Sequence, residues 1–432
     1  MNNSAQITAA ALIVAATTGF AAAGSLELDR AYASELKADA GTRSVLNENN
    51  LSNLEVSVGV RFGYSINVRD DNAAATLGDS DTTIGFQTSE AQVAIEGDVT
   101  DNMHARISFD FGPDNTDSLS TTEGTANLED AYVDWSVNDD FTLRVGQFIP
   151  AYSAEASTTE FNMMNAYRSV TSEFLGTPSW TQGIEAHFAG DTWSFAVGFN
   201  DGPNSRSTPF NSGSEADFGI NARFDIFSDS DKARFADQTS WRGSASGWRV
   251  GAGLFYSTYG NTNPASTATE SDNFWFTVDG AYEGDGWALR AAFYGTSIDP
   301  NGVGMISHEN YGFEVGGSVF FSDQWEGFAR FDMLLLDDDA GAGQVAAGPS
   351  ADDTQSFVAV GANYYFVPES HAAKFTIELG YALDQTADIA NTAGDTGVTP
   401  IGATNPGSSG FLTDAAGSDG QFMVSAIMQW LF

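Results

Sequence analysis

The sequence predicts an all-β fold: a transmembrane antiparallel β-barrel of about sixteen strands, preceded by a short N-terminal helix. Three observations point there. Apolar and polar residues alternate singly along most of the chain, the connections between these runs are alternately short and long, and aromatic residues border the short ones. Successive side chains of a strand point to opposite faces, so single alternation marks a sheet with one apolar and one wet face.

Residues 7–20 are an alanine-rich apolar run leading into Ala21, Ala22 and Ala23, the pattern of a secretory signal over residues 1–23. Leu28, Tyr32 and Leu36 recur at every fourth position among Glu27, Arg30, Glu35 and Lys37. That spacing predicts a short periplasmic helical segment within residues 24–50. The barrel is expected over residues 51–432. In its first strand Val56, Val58, Val60, Phe62, Tyr64, Ile66 and Val68 alternate with Glu55, Ser57, Gly59, Arg61, Gly63, Ser65 and Asn67. The run 84–96 slips phase between Phe86 and Ala91, as a β-bulge would make it. After a strand at 103–111 comes a hairpin, 131–137 with 141–145, folded about Asn138, Asp139 and Asp140. Strands at 183–188, 193–200, 218–227, 248–258, 274–282, 287–296, 311–321, 325–333, 357–366, 374–383 and 421–432 complete the set.

Connection lengths support closure in a membrane. Short 138–140 precedes long 150–180, 189–191 precedes 201–217, and 283–286 precedes 297–310. The pairs 322–324 with 334–356 and 367–373 with 384–420 repeat the pattern. Short periplasmic turns and long external loops produce this asymmetry. One connection breaks it: 228–247, on the short-turn side, is long and carries Asp229, Asp231, Lys232 and Arg234. Trp135 and Phe141, Phe188 and Trp193, Tyr282 and Trp287, Phe321 and Trp325, and Phe366 and Phe375 flank the short turns on the apolar phase. Amphipathic rings favour the membrane–water boundary, so these read as a girdle.

Composition removes several classes. A net charge of -41 repels a phosphate backbone, so nucleic acid is not expected as a partner. It equally disfavours electrostatic docking on anionic lipid. The absence of cysteine excludes disulfides and thiolate metal sites. After the leader no apolar run reaches the length of a membrane helix, which leaves a barrel open.

Alternation places Arg61, Arg106, Arg144, Arg223, Arg249, Arg290 and Arg330 on the inner face. Glu55, Glu90, Glu96, Asp110, Asp130, Asp134, Glu185, Asp225, Asp279, Glu314, Glu326, Asp332 and Glu378 share it. Charges of both signs belong in a water-filled lumen. The loop 150–180, with Glu155, Glu160, Arg168 and Glu173, is expected to fold into that lumen and narrow it, because loops of its length are commonly functional. Some arginines would then face loop acids across the constriction, with Arg61, Arg106 and Arg330 as a local cluster. Local pairing is the competing expectation, with Asp134 opposite Arg144 and Asp279 opposite Arg290. His104 and His187 face inward on distant strands, too far apart for a shared metal. Asp337–Asp339 and Asp352–Asp353 lack the spaced ligands of a calcium loop and read as solvated carboxylates. There is no G-x-S-x-G elbow, H-E-x-x-H or phosphate loop, so neither an enzyme nor a cofactor is expected.

Residues 128–153, LEDAYVDWSVNDDFTLRVGQFIPAYS, resemble the phosphate-selective porin O/P family of outer-membrane channels. The matching parts are Asp130-Ala131-Tyr132, the strand end Arg144 to Phe148, and Pro150 leading into the long loop. The turn FADQTSWRGS at 235–244 is similar to one in bacterial relatives, and FMVSAIMQWLF closes the chain on an aromatic as such barrels do. The resemblance implies a homotrimeric porin in bacterial outer-membrane lipid, passing ions and small hydrophilic solutes. One departure bears on selectivity. Phosphate-selective members line the pore with lysines and often carry one after Gly-Gln-Phe, where this chain has Ile149. Its only lysines are Lys37, Lys232 and Lys374, none expected at a mid-barrel inward position. Because inward acids outnumber inward arginines, a weak cation preference is expected. The alternatives are a phosphate- or other anion-selective porin, and a structural or adhesive surface barrel.

Overall fold

The computed structural model describes residues 54–69, 82–112, 126–210, 212, 215–259, 270–300, 307–337, 354–384, 386, 409–414 and 420–432. The predicted leader and helix lie outside these residues, as do Asp338, Asp339, Asp352 and Asp353. Sixteen antiparallel strands form a closed barrel in which each pairs with its neighbours in sequence. They are β1 (Leu54–Val68), β2 (Thr82–Thr100), β3 (Met103–Asp110), β4 (Asn127–Asn138), β5 (Phe141–Phe148), β6 (Thr181–Gly190), β7 (Trp193–Asn200) and β8 (Phe218–Phe227). The second half comprises β9 (Gly247–Tyr259), β10 (Ser271–Gly284), β11 (Trp287–Pro300), β12 (His308–Phe320), β13 (Trp325–Leu335), β14 (Thr354–Tyr365), β15 (Ala373–Ala382) and β16 (Phe422–Leu431). The seam runs from Gly59 opposite Leu431 to Val68 opposite Phe422.

The alternation becomes two faces. On β9 the outward Trp248, Val250 and Leu254 are exposed while the inward Arg249 and Ser257 are buried. An exposed apolar exterior would be a liability in water and is what hydrocarbon requires. At the short turns the outward aromatics stack, with Phe141 on Phe188 at 4.9 Å and Tyr282 on Trp287 at 5.3 Å. The phase slip is a bulge: Arg61 faces Glu90 and Phe62 faces Thr88, so Ser89 is the extra residue.

Register follows turn chemistry. Asp134 faces Arg144, as the sequence suggests. Asp279 does not face Arg290. The β10–β11 turn is tight, with Gly284 opposite Trp287 and Gly286 at a φ of 71°. Arg290 therefore meets Ala281 and Asp279 meets Ala292, a shift of two that keeps both charges inside. Asp299, expected in the long connection 297–310, lies on β11 opposite Asp272 of β10.

The interior departs most from expectation. Residues 149–180 fold into the barrel and build a core there: Ala166, Tyr167, Val170, Phe174 and Leu175 pack with Tyr294, Leu334, Phe357, Phe411, Met423 and Ile427. Along β12–β16 the lumen is consequently dry. Glu326 and Glu378 are 0% exposed and Asp332 is 1%, although the sequence places them in water. Each is hydrogen-bonded through one of its two oxygens, which offsets part of the cost of burying it. Asn363 and Tyr365 donate to Glu326, Asn165 and Ala166 to Glu378, and Thr171 to Asp332.

Candidate functional site

Near the end of β5, just before the inward loop, Gly146 has a φ of 136°, which favours glycine, and a Cβ there would lie 2.2 Å from the Ala131 carbonyl oxygen. Two short helices shape the loop, α1 (Ala154–Ser157) and α2 (Val170–Leu175). Ser153 and Ser169 cap them by accepting from the Ala156 and Ser172 amides at 3.0 and 2.8 Å.

Barrel charges hold the loop's backbone. Arg61 donates to the Glu160 carboxylate and the Ala166 carbonyl. From β13, four strands around the wall, Arg330 donates to the carbonyls of Tyr167 and Arg168 at 2.7 and 3.2 Å. Lys374 donates to the Met163 carbonyl at 2.7 Å. It faces inward near the short-turn end and is 2% exposed, which the sequence did not anticipate. Arg61 and Arg330 thus grip adjacent loop residues, while Arg106 stands elsewhere; the three form no common cluster. Arg168 is a brace within the loop. It donates to the carbonyls of Glu155 and Thr158 and lies 3.2 Å from the Glu173 carboxylate. Burial works against its charge, but Glu173, Glu155 and Glu160 together hold its pKa above the ordinary value.

Glu314 accepts from Ser169 and, at 3.1 Å, from Tyr294. Arg223 binds Asp279 through both terminal nitrogens at 2.8 and 2.9 Å and Asp225 at 2.6 Å. Arg249 binds Asp279 at 2.9 Å. Arg290 bonds Glu283 at 2.8 Å and the Asp237 carbonyl at 2.5 Å. Below the loop, a cavity of about 370 Å³ is bordered by His187, Arg223, Asp225, Lys232, Phe235 and Arg249.

The β2–β5 wall differs. Here Glu96, Arg106, Asp130, Asp134 and Arg144 keep 19–30% of their side-chain surface accessible. Arg106 lies between Glu96 at 2.7 Å and Asp130 at 2.9 Å. Arg144 meets Asp134 through two contacts of 2.8 Å and covers the Tyr132 ring at 4.0 Å. These arginines are matched locally. Glu90, Asp110, Glu129 and Glu160 lie within electrostatic reach of one another, with Arg61 acting on Glu90 and Arg206 on Asp110. Sequence reasoning missed Glu129, which a register slip in the β3–β4 pair turns inward onto Gln92 at 2.6 Å. The signal was the acidic doublet Glu129-Asp130 inside an alternating run. Asp237 and Gln238, in the long turn, were also missed.

Among the described residues no His, Asp or Glu group is arranged to hold a metal ion. His104 bonds Asp98 at 3.1 Å and His187 lies 3.0 Å from Glu185.

No curated protein matches the chain in sequence. Solved barrels match it in fold. The anion-selective porin from Comamonas acidovorans aligns with a TM-score of 0.55 at 11% identity, over 88% of this chain and 99% of that one. Salmonella typhi OmpF in complex with daunomycin gives 0.53 at 13% identity, over 87% and 97%. Pseudomonas putida OprB gives 0.53 at 10% identity, over 91% and 97%. Residues 56–270 match the family model for phosphate-selective porin O and P, a span holding β1–β9 and the whole inward loop. Over residues 56–270, just under half of the chain, the protein thus resembles the phosphate-selective porin O and P family.

Proposed function

We propose that the protein is a diffusion channel for ions and small hydrophilic solutes in the bacterial outer membrane, assembled as a homotrimer, with residues 149–180 as its constriction and a weak preference for cations. The observation that carries the sign is the acidic, partly hydrated β2–β5 wall. There Arg106 and Arg144 are already paired, whereas the four acids Glu90, Asp110, Glu129 and, on the loop, Glu160 face two arginines, Arg61 and Arg206. Rings and tracks of carboxylates concentrate cations. The dry β12–β16 side, filled by the loop core, puts the path along the remaining wall, which holds the β2–β5 carboxylates and the cavity beside Arg223 and Arg249. An outer membrane protein of Vibrio cholerae solved in a trimer form, OmpT, shares the fold and supports the trimeric reading.

An anion-passing channel is the competing reading, favoured by the family description and by the Comamonas acidovorans porin. Against it stands the lack of lysine on the β2–β5 wall. Reversal potentials across a KCl gradient decide between the two. A potential toward potassium at low salt, fading as salt rises, is the expected result; one toward chloride overturns the cation reading. No steady current in a folded barrel overturns the channel itself and favours a structural surface role.

A further inference from the structure

The connection between β8 and β9, residues 228–246, enters the barrel from the end opposite to the long loop's origin. Phe235, 5% exposed, packs on Phe227 and Ala281 inside the wall. Gln238, Thr239 and Ser240 are 3–4% exposed, and the Trp241 ring lies 4.8 Å from that of Tyr365 and 5.4 Å from that of Phe320. The segment is fixed to the wall along its length. Ser240 donates to the Gly284 carbonyl at 2.6 Å, Arg290 to that of Asp237 at 2.5 Å, and Gly286 N–H to that of Trp241 at 3.1 Å. This explains why a connection on the short-turn side is long: it must reach the lumen and return.

At its tip the segment touches the inward loop through Gln238. The backbone N–H donates to the Asn162 carbonyl at 3.0 Å, Oε1 accepts from Met164 N–H at 3.2 Å, and Nε2 donates to Glu155 Oε2 at 2.5 Å. The amide suits this place because one end must accept and the other must donate. Two cavities beside it, bordered by Glu155, Gln238, Arg290 and Glu314, measure about 20 Å³ each. Such a space holds about one water and no solute. The two inserted segments therefore meet and seal the β10–β13 side between them.

We infer that residues 228–246 are a second constriction element, and that Gln238 is the positioning residue that fixes the inward loop against the aperture. The inference rests on the channel reading but not on its ionic sign. Removing the side chain frees Met164 N–H and Glu155 together and leaves, of these three bonds, only the backbone one to Asn162 between the two segments, so the loop is held less firmly and the aperture widens and fluctuates.

Unitary conductance and open-channel noise of purified full-length protein in planar bilayers test this, with barrel folding checked by heat-modifiable migration. Gln238→Ala and Gln238→Glu are expected to raise both quantities, Gln238→Glu more, because its carboxylate faces Glu155 without a donor. The swap Glu155→Gln with Gln238→Glu restores donor and acceptor in reversed order and is expected to return both quantities toward wild type. That rescue is what a merely structural role would not give. The chain contains no cysteine, so Asn162→Cys with Gln238→Cys supplies a tether readable in one sample. Oxidised channels should be quiet and reduced ones noisy, a comparison independent of how well either single variant folds. Wild-type conductance and noise in folded Gln238→Ala and Gln238→Glu, or a change the swap leaves in place, overturns the assignment. A reversal potential of unexpected sign touches only the selectivity proposed above.

Discussion

Asp279→Asn separates charge from shape at the centre of the lumen wall. Asp279, 6% exposed, accepts from Arg223 through both terminal nitrogens, from Arg249, and from the Ala154 amide at 3.3 Å. Arg223 and Arg249 are balanced by Asp225 and Asp279 (two positive, two negative). Asparagine fills the same volume and leaves this cluster with a net charge of one positive. Removing one partner of a buried ion pair costs about 3–5 kcal/mol. The neighbouring cavity of about 370 Å³ gives water access to Arg223 and Arg249, which puts the cost near the lower bound, about 3 kcal/mol. The assay has two readings, the heat-modifiability midpoint and the reversal potential in a KCl gradient. The midpoint should fall while the barrel still assembles. The potential should move toward chloride, and more so at low salt, since the Debye length grows from about 10 Å at 0.1 M to about 30 Å at 0.01 M. A folded variant whose potential stays put, or moves toward potassium, refutes the reasoning: permeating ions would not sense this cluster.

Deleting residues 157–171 removes most of the loop core and should raise single-channel current markedly; an unchanged current would place the constriction elsewhere. Gly146→Ala forces a Cβ to within 2.2 Å of the Ala131 carbonyl oxygen at a φ of 136°, and should lower the heat-modifiability midpoint by more than Gly85→Ala, where nothing lies within 4 Å. Arg144→Gln breaks a partly hydrated cross-strand pair worth about 0.2–1 kcal/mol, so stability should change little. By freeing Asp134 it should strengthen cation preference in the same bilayer measurement.

The side of the barrel on which a residue lies was legible because alternation has a period of two and needs no distant information. The Asp134–Arg144 register was legible for the same reason. Its turn is marked by Asn138, Asp139 and Asp140, whereas the turn beside Asp285 is centred one residue later than the expected Asp279–Arg290 pairing needs, with Gly284 opposite Trp287. The bulge at Ser89 was visible as a phase slip, but the one that turns Glu129 inward was not separable from ordinary alternation. What the sequence could not convey is which inward residues stay wet. Glu378 and Glu96 occupy equivalent phases, yet one is sealed by Asn165 and Ala166 and the other is open. The difference arises from a loop over two hundred positions from Glu378, beyond any local pattern.

The distance between the inward loop and its anchors also dictates an order of assembly. The loop follows β5, but Glu378, Lys374 and Gln429 belong to β15 and β16, and Gln429 reaches back 268 positions to the Phe161 carbonyl. Contacts so remote demand that long stretches of chain be organised before they form. Until the last two strands arrive, the Phe161 and Met163 carbonyls and the Ala166 amide lack the partners that Gln429, Lys374 and Glu378 supply, and until β16 zips along β1 the seam is open. Loop docking and seam closure therefore complete each other, since the strands that close the barrel also supply the groups that hold the loop. An unfinished barrel would be wide and leaky in its lumen. The finished one acquires its aperture in the step that seals its edge.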